Sequence, residues 1–213
     1  MKLHKLDYLN LLLILLTIGI AIYFYPLLPA KVATHWNFAG EIDGWGSKNF
    51  QVFFFPSLII GIYLLFQILP KLDPKKTNYA EFATAYKVFQ LVLILFFNII
   101  FLITNLANTG VEIAVGAVVS SAIGLMFIIF GILMPKLKNN WFIGIRTPWT
   151  LSSDFVWQKT HQLGKYMFIV VGALFLFISY LPLPLVLPVF ILLIILLLVP
   201  VLYSYFLFKK EIK

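Results

Sequence analysis

The stretch "PLVLPVFILLIILLLVPVLYSYFL", residues 184–207, contains no charged side chain from end to end. A helix that crosses the hydrocarbon core of a bilayer needs about 20 predominantly apolar residues, and few core helices of soluble proteins are so long and so uniformly apolar. The stretch therefore predicts a membrane-spanning helix. Pro200 lies inside it and predicts a kink, which neighbouring helices can accommodate within a membrane.

The rest of the chain has the same apolar character. Of its 213 residues, 62% are hydrophobic and only 11% are charged, and the mean hydropathy is +1.00. Too few charges remain to cover the surface of a soluble domain of this size. Apolar runs of spanning length lie near residues 8–25, 51–69, 86–107, 112–134, 166–182 and 184–207. We therefore predict an all-α, polytopic integral membrane protein with six transmembrane helices.

Two classes of site are excluded or disfavoured by composition. The chain has no cysteine, so it has no disulfide, no thiolate nucleophile and no thiolate metal site. Its net charge of +8 comes from lysines at the ends of apolar runs, which is typical of topology signals and not of nucleic-acid binding. The length of the first run and the following "YPLLPAKV" favour a retained span over a cleaved signal peptide.

The distribution of basic residues predicts the orientation. Cytoplasmic loops of membrane proteins carry an excess of Lys and Arg. All 16 basic residues except Lys31 and Lys48 lie in the two termini and in the second and fourth connections. The terminal ones are Lys2, Lys5, Lys209, Lys210 and Lys213, and those of the two connections are Lys71, Lys75, Lys76, Lys87, Lys136, Lys138, Arg146, Lys159 and Lys165. We expect both termini and these two connections in the cytoplasm and the first loop outside.

Polar and small residues within the spans predict helix packing. Gly116, Ser120 and Gly124 recur at four-residue intervals and permit close helix approach, either inside the bundle, which we favour, or in a homodimer. The polar residues of the third span, which we expect to hydrogen-bond to other helices, are Gln90, Asn98, Thr104 and Asn105. No ionisable residue lies in the middle of a span, which weakens a transporter interpretation.

The first loop, "THWNFAGEIDGWGSK" at residues 34–48, concentrates polar chemistry between two apolar runs. Asp43-Gly44 predicts a hairpin turn, since glycine tolerates positive φ. Its candidate ligand-binding residues are His35, Trp36, Asn37, Glu41, Asp43 and Trp45. His35 with Glu41 or Asp43 is only a weak metal candidate, and we predict neither metal nor other cofactor.

The fourth loop, at residues 136–168, interleaves aromatic residues with lysines, which is typical of the membrane interface. Ser152, Ser153 and Asp154 predict a helix start. That helix would place Trp157, His161 and Phe168 on one face and continue into the fifth span, with Gly164 as a weak point.

Arg146 is the only arginine, and its planar guanidinium suits bidentate binding of a carboxylate or phosphate. Lipid phosphate, Asp154 and Glu81 are its candidate partners, and a clamp that holds the loop to the bundle is an equally good interpretation. Ser152 or Ser153 with His161 lacks a nucleophile elbow, so we predict no enzyme.

Two blocks resemble the SdpI family of bacterial membrane proteins. They are "LPAKVATHWNFAGEIDGWGSK" after the first span and "NNWFIGIRTPWTLSSDFVWQKTHQLG" between the fourth and fifth spans. The family positions they carry are His35, Trp36, Asn37, Gly40, Asp43 and Gly44 in the first block, and Gly144, Arg146, Thr147, Pro148, Trp149, Thr150, Trp157 and His161 in the second. We divide the chain into residues 1–70, two spans with the outer loop, and a four-span unit at residues 71–213.

The resemblance implies immunity: protection of the host membrane from a secreted antimicrobial peptide or toxin. It also implies a signalling role in which a transcriptional repressor is retained at the membrane, with the second block as a structural clamp or partner-binding surface. The alternative from the residues is a small membrane enzyme or transporter acting on peptide or lipid, metal-dependent through the outer loop. Membrane lipids are the other expected partners.

Overall fold

The computed structural model describes residues 4–212, so Lys2 and Lys213 of the charge distribution lie outside the described part. In chain order, its elements are α1 (Lys5–Phe24), β1 (Lys31–Trp36), β2 (Ile42–Ser47), α2 (Lys48–Leu72), α3 (Ala83–Asn108), α4 (Val115–Leu133), α5 (Pro148–Ser152), α6 (Asp154–Phe177) and α7 (Leu183–Glu211). Short 3-10 turns occupy Lys76–Ala80, Met134–Lys136 and Ile178–Tyr180. Six of these helices are long and apolar enough to cross a membrane, as predicted.

The helix predicted to start at Ser152–Asp154 and to continue into the fifth span is confirmed, so this span begins well before its apolar run. Helix α6 begins at Asp154, where Ser153 caps it by accepting a hydrogen bond from the Val156 N–H, and runs unbroken into the apolar segment. Gly164 is therefore not a break. A Cβ at Gly164 would come within 2.7 Å of the Ile145 side chain, so the glycine makes room for the preceding loop.

The helices pack in two groups joined by α3 and α4. Helices α1, α2 and α3 pack on one another, α4 lies along α6, and α7 packs on the other side of α6. Apolar clusters fill both groups: one surrounds Phe101 between the first helices and β1, and another surrounds Val171 and Leu193 between α6 and α7. Many leucines and isoleucines of α1 and α7 stay exposed, as expected of helices that face lipid.

The contact between α4 and α6 accounts for Gly124, one residue of the predicted small-residue stripe. A Cβ added at Gly124 would lie 2.6 Å from the Gly172 carbonyl oxygen, and one at Gly172 would lie 2.5 Å from the Gly124 oxygen. The two backbones therefore touch. Gly124 packs inside the bundle, in agreement with the favoured interpretation at this position, whereas a Cβ at Gly116 would meet nothing within 4 Å.

Candidate functional site

The first loop folds into a two-stranded antiparallel hairpin, defined here as Lys31–Ser47, which adds β structure to the predicted all-α fold. The predicted turn at Asp43-Gly44 is wrong, because both residues lie inside β2. The turn is built on Asn37, whose side-chain oxygen accepts hydrogen bonds from the Ala39 and Glu41 N–H groups, and it passes through Gly40 at φ 83°.

Gly44 serves a different purpose from the one predicted. A Cβ at this position would lie 2.7 Å from the Cβ of His35 on the facing strand. The glycine is needed for close cross-strand approach, not for positive φ. This approach brings His35 Nδ1 within 2.5 Å of an Asp43 carboxylate oxygen, and both side chains stay exposed, at 70% and 46%.

The six candidate residues of the hairpin divide by role. Asn37 forms the turn and also donates to the Glu41 carboxylate, so these two are largely committed to the fold. Trp36 is partly buried. His35, Asp43 and Trp45, the last 52% exposed, present polar and aromatic surface to the surroundings. Within residues 4–212, His, Cys, Asp and Glu side chains form no group of three that could hold a metal ion.

The hairpin is anchored to the end of α3. The Asn108 side chain accepts a hydrogen bond from the Ala33 N–H at 2.7 Å and donates one to the Ala33 carbonyl at 2.9 Å. Val32 and Ala33 are buried against the helices. The turn leans toward α7, where the rings of Phe38 and Phe190 lie 6.1 Å apart.

Buried polar contacts join the first three helices. Thr17 of α1 donates to Asn98, and Gln51 of α2 donates to Thr104, both at 2.7 Å. Gln90 donates to the Tyr63 carbonyl, so three of the four polar residues of α3 bond across helices as expected. Asn105 differs, because its amide donates to Phe101 of its own helix.

One buried ion pair was not anticipated. Lys87 of α3 donates to Asp7 of α1 at 2.7 Å, and both side chains are nearly inaccessible. Gln67 of α2 donates to the same Asp7 carboxylate, while its oxygen accepts from Lys87. Asp7 also caps α1 by accepting from the His4 N–H. The sequence hides this pair, because each member looks like an ordinary charge at the end of an apolar run.

At the end of the helices opposite the hairpin lies the signature segment, defined here as residues 136–161. Two adjacent asparagines that were not singled out give it its shape. The fully buried Asn140 donates to the Lys138 and Ile143 carbonyls and accepts from the Phe142 and Ile143 N–H groups. Asn139 donates to Asp154 at 2.8 Å, which ties the start of the segment to α6.

Asp73, also missed, fastens the segment to the end of α2. Its buried carboxylate accepts hydrogen bonds from the Trp141 N–H and the Tyr79 hydroxyl, each at 2.9 Å, and from the Lys75 N–H at 2.7 Å. Burial and the hydrogen bond to Asp73 raise the pKa of Tyr79 well above its usual range, so the hydroxyl stays a donor.

His161 is a structural residue at the centre of the segment. It is fully buried and stacks on Trp157 with a centroid distance of 4.1 Å, as the helical spacing predicted. Its Nδ1 donates to the Trp157 carbonyl and its Nε2 accepts from the Ile145 N–H, which fixes one neutral tautomer. Gly144, at φ 110°, passes so close that a Cβ there would overlap Nε2.

The proposed carboxylate partners of Arg146 are wrong. The guanidinium donates to the Trp141 carbonyl at 2.7 Å. Glu81 pairs with Lys138 at 3.0 Å, and Asp154 accepts from Asn139. The bidentate geometry of the guanidinium suggested a carboxylate partner, but the loop turns the Trp141 carbonyl toward the arginine and leaves Arg146 exposed.

The remaining signature residues fix α7. Thr147 caps α5 by accepting from the Thr150 N–H, and its hydroxyl lies 3.0 Å from that of Ser204 in α7. Pro148 is the first residue of α5. Trp149 makes an edge contact with Tyr205, and Ser153 donates to Glu211. These contacts attach the segment to α7.

The segment brings together no catalytic pair among the described residues. Ser152 donates to the Pro148 carbonyl, Ser153 bonds Glu211, and both nitrogens of His161 are engaged inside the protein. Beside the segment is a polar cavity of about 240 Å³, lined by groups that include Glu81, Lys138, Asn139, Asp154 and Trp157.

Comparison with known proteins finds a family model for each of the two regions. Residues 136–204 match the SdpI/YfhL protein family, and residues 12–60 match a domain of unknown function, DUF1648. The chain is 26% identical over 176 residues to "Immunity protein SdpI" of Bacillus subtilis (strain 168), which covers 83% of this chain and 82% of that protein. No solved structure matches the chain. The resemblance to the SdpI family is confirmed.

Proposed function

We propose that this SdpI-family protein is a membrane immunity protein, which protects the cell that makes it from a secreted antimicrobial peptide. The observation that carries the proposal is the similarity to a protein named as an immunity protein, extending over 83% of this chain. The two family matches include the hairpin and the signature segment, so similarity to known sequences extends to both regions.

The proposed orientation places the hairpin outside and the signature segment in the cytoplasm. Its support is the concentration of basic residues at the signature end of the helices. The cysteine-free chain permits a direct test. A membrane-impermeant maleimide should label Trp45→Cys in intact cells, and Lys159→Cys only after permeabilisation. The reverse pattern would overturn the orientation.

The hairpin is the proposed toxin-facing element, because His35 and Asp43 hold an exposed polar pair on it. In a sensitive bacterium, expression of the chain should permit growth in the presence of peptides purified from the medium of the strain that carries this gene. His35→Ala and Asp43→Ala should weaken protection at unchanged membrane levels.

The matched control is Glu112→Ala, which removes an exposed carboxylate from the same end of the bundle but outside the hairpin. Protection should stay unchanged in this variant. Full protection by both His35→Ala and Asp43→Ala would remove the pair from the mechanism, and no protection by the unaltered chain would refute the immunity proposal.

A second role is retention of a transcriptional repressor by the signature segment. It is supported by the exposed Arg146, which is held beside the half-exposed Trp141 by a hydrogen bond. A regulator recovered with the purified protein should be lost with Arg146→Ala and kept with Lys159→Ala, a control that removes another basic side chain of the segment. Equal recovery with Arg146→Ala would refute this role.

A further inference from the structure

We propose that the free edge of β2 binds an extended, cationic segment of the secreted peptide by adding it to the hairpin as a third strand. This inference rests on the proposed immunity function and specifies how its hairpin would recognise the peptide. The two outer edges of the hairpin differ, because that of β1 is covered by the protein and that of β2 is open.

The edge of β1 is already closed. Ala33 directs its N–H and its carbonyl away from β2, and the side chain of Asn108 bonds both groups, as a neighbouring strand would. Val32 and Ala33 are buried, so no peptide can reach this edge. The protein thus protects one edge with a side chain.

The edge of β2 is open. Ala33 is paired with Trp45. In an antiparallel ladder, the backbone groups of two paired residues either all point toward the partner strand or all point away from it. Trp45 therefore directs its N–H and carbonyl away from β1. Within the described part of the chain, no residue outside the hairpin hydrogen-bonds to the backbone of residues 42–46. Such an edge is a template for an incoming strand.

The side chains around this edge fit a cationic, amphipathic peptide. Between its turn and the middle of β2 the hairpin carries two carboxylates, Glu41 and Asp43. The Lys31 ammonium lies 5.2 Å from the centroid of the Trp45 ring, so this indole already contacts a cation of the hairpin itself. Trp45 is 52% exposed and Phe38 68% exposed, which leaves apolar surface beside the acidic groups. Peptides that act on membranes combine Lys and Arg on one face with apolar residues on the other, so both faces would find complementary groups.

Two substitutions at Trp45 isolate the backbone contribution. Trp45→Val removes the indole and keeps the N–H, whereas Trp45→Pro removes both, and proline is tolerated where an edge N–H makes no ladder bond. A backbone hydrogen bond contributes about 0.5–1.5 kcal/mol net, so Trp45→Pro should need about two- to twelvefold less peptide than Trp45→Val to stop growth. The peptide is the one purified for the protection assay.

Hydrogen exchange gives a second readout that does not depend on the proline variant. Adding that peptide to the unaltered protein in nanodiscs should slow deuterium uptake in residues 42–47. Equal protection by the two Trp45 variants, or unchanged uptake, would overturn strand addition while leaving immunity intact. If the Trp45→Cys variant formed disulfide-linked dimers in the absence of peptide, the edge of β2 would instead be assigned to a contact with a second copy of the chain. Absence of protection by the unaltered chain would overturn both proposals.

Discussion

Replacing Asp73 with alanine should destabilise the protein more than any other loss of a single loop carboxylate. Asp73 is buried, and two of the hydrogen bonds it accepts come from other segments, the Trp141 N–H and the Tyr79 hydroxyl. Hydrogen bonds to charged groups contribute about 1.5–3 kcal/mol each, so Asp73→Ala should lower the free energy of unfolding by about 3–6 kcal/mol. The substitution also leaves two backbone donors, the N–H groups of Lys75 and Trp141, without their partner.

The assay is unfolding of the purified protein in mixed micelles by increasing fractions of sodium dodecyl sulfate, followed by tryptophan fluorescence. Glu81→Ala is the matched control, because that carboxylate lies nearby but pairs with Lys138 on the surface, where an ion pair contributes about 0–1 kcal/mol. Tyr79→Phe removes one of the two bonds and should cost about 1.5–3 kcal/mol.

Coupling between Asp73→Ala and Tyr79→Phe in a double-mutant cycle should approach the cost of that one bond. If Asp73→Ala cost no more than Glu81→Ala, the carboxylate would not fasten the signature segment to α2, and the derived architecture of this end of the protein would be incorrect.

Two further substitutions test other contacts by the same unfolding assay. Gly144→Ala would place a Cβ at a left-handed φ of 110° and would overlap His161. It should therefore cost more than Gly110→Ala, whose added Cβ meets nothing and which should cost only the roughly 1–3 kcal/mol of backbone strain. Equal costs would contradict the close approach of Gly144 to the imidazole. Lys87→Met leaves Asp7 as an unpaired buried charge and should lower the free energy of unfolding by about 3–5 kcal/mol. Adding Asp7→Asn should recover a large part of this loss. No recovery would mean that the two side chains are not paired.

The six helices could be predicted because a membrane span is recognised from one continuous run of apolar residues, without knowledge of its contacts. Any run such as residues 184–207 must be helical to satisfy its backbone in lipid, whatever surrounds it. The stacking of Trp157 on His161 was also predictable, since residues four apart on a helix share a face.

The errors arise where the partner of a group lies far along the chain. Gly44 was predicted to be a turn residue, because the sequence does not show that His35 lies directly opposite it on the neighbouring strand. Arg146 was matched with carboxylates, yet its partner is a backbone carbonyl, which every residue has and which no residue type can indicate. Asp73 was overlooked for the same reason, since the Trp141 N–H that it accepts from lies 68 residues further along the chain.

The most direct test of the immunity proposal is growth of a sensitive bacterium that expresses this chain, challenged with the peptides secreted by the strain that carries the gene. The account predicts growth with the unaltered chain and with Glu112→Ala, and weakened growth with His35→Ala and Asp43→Ala at equal membrane levels. Growth inhibition that is the same with and without the chain would contradict it.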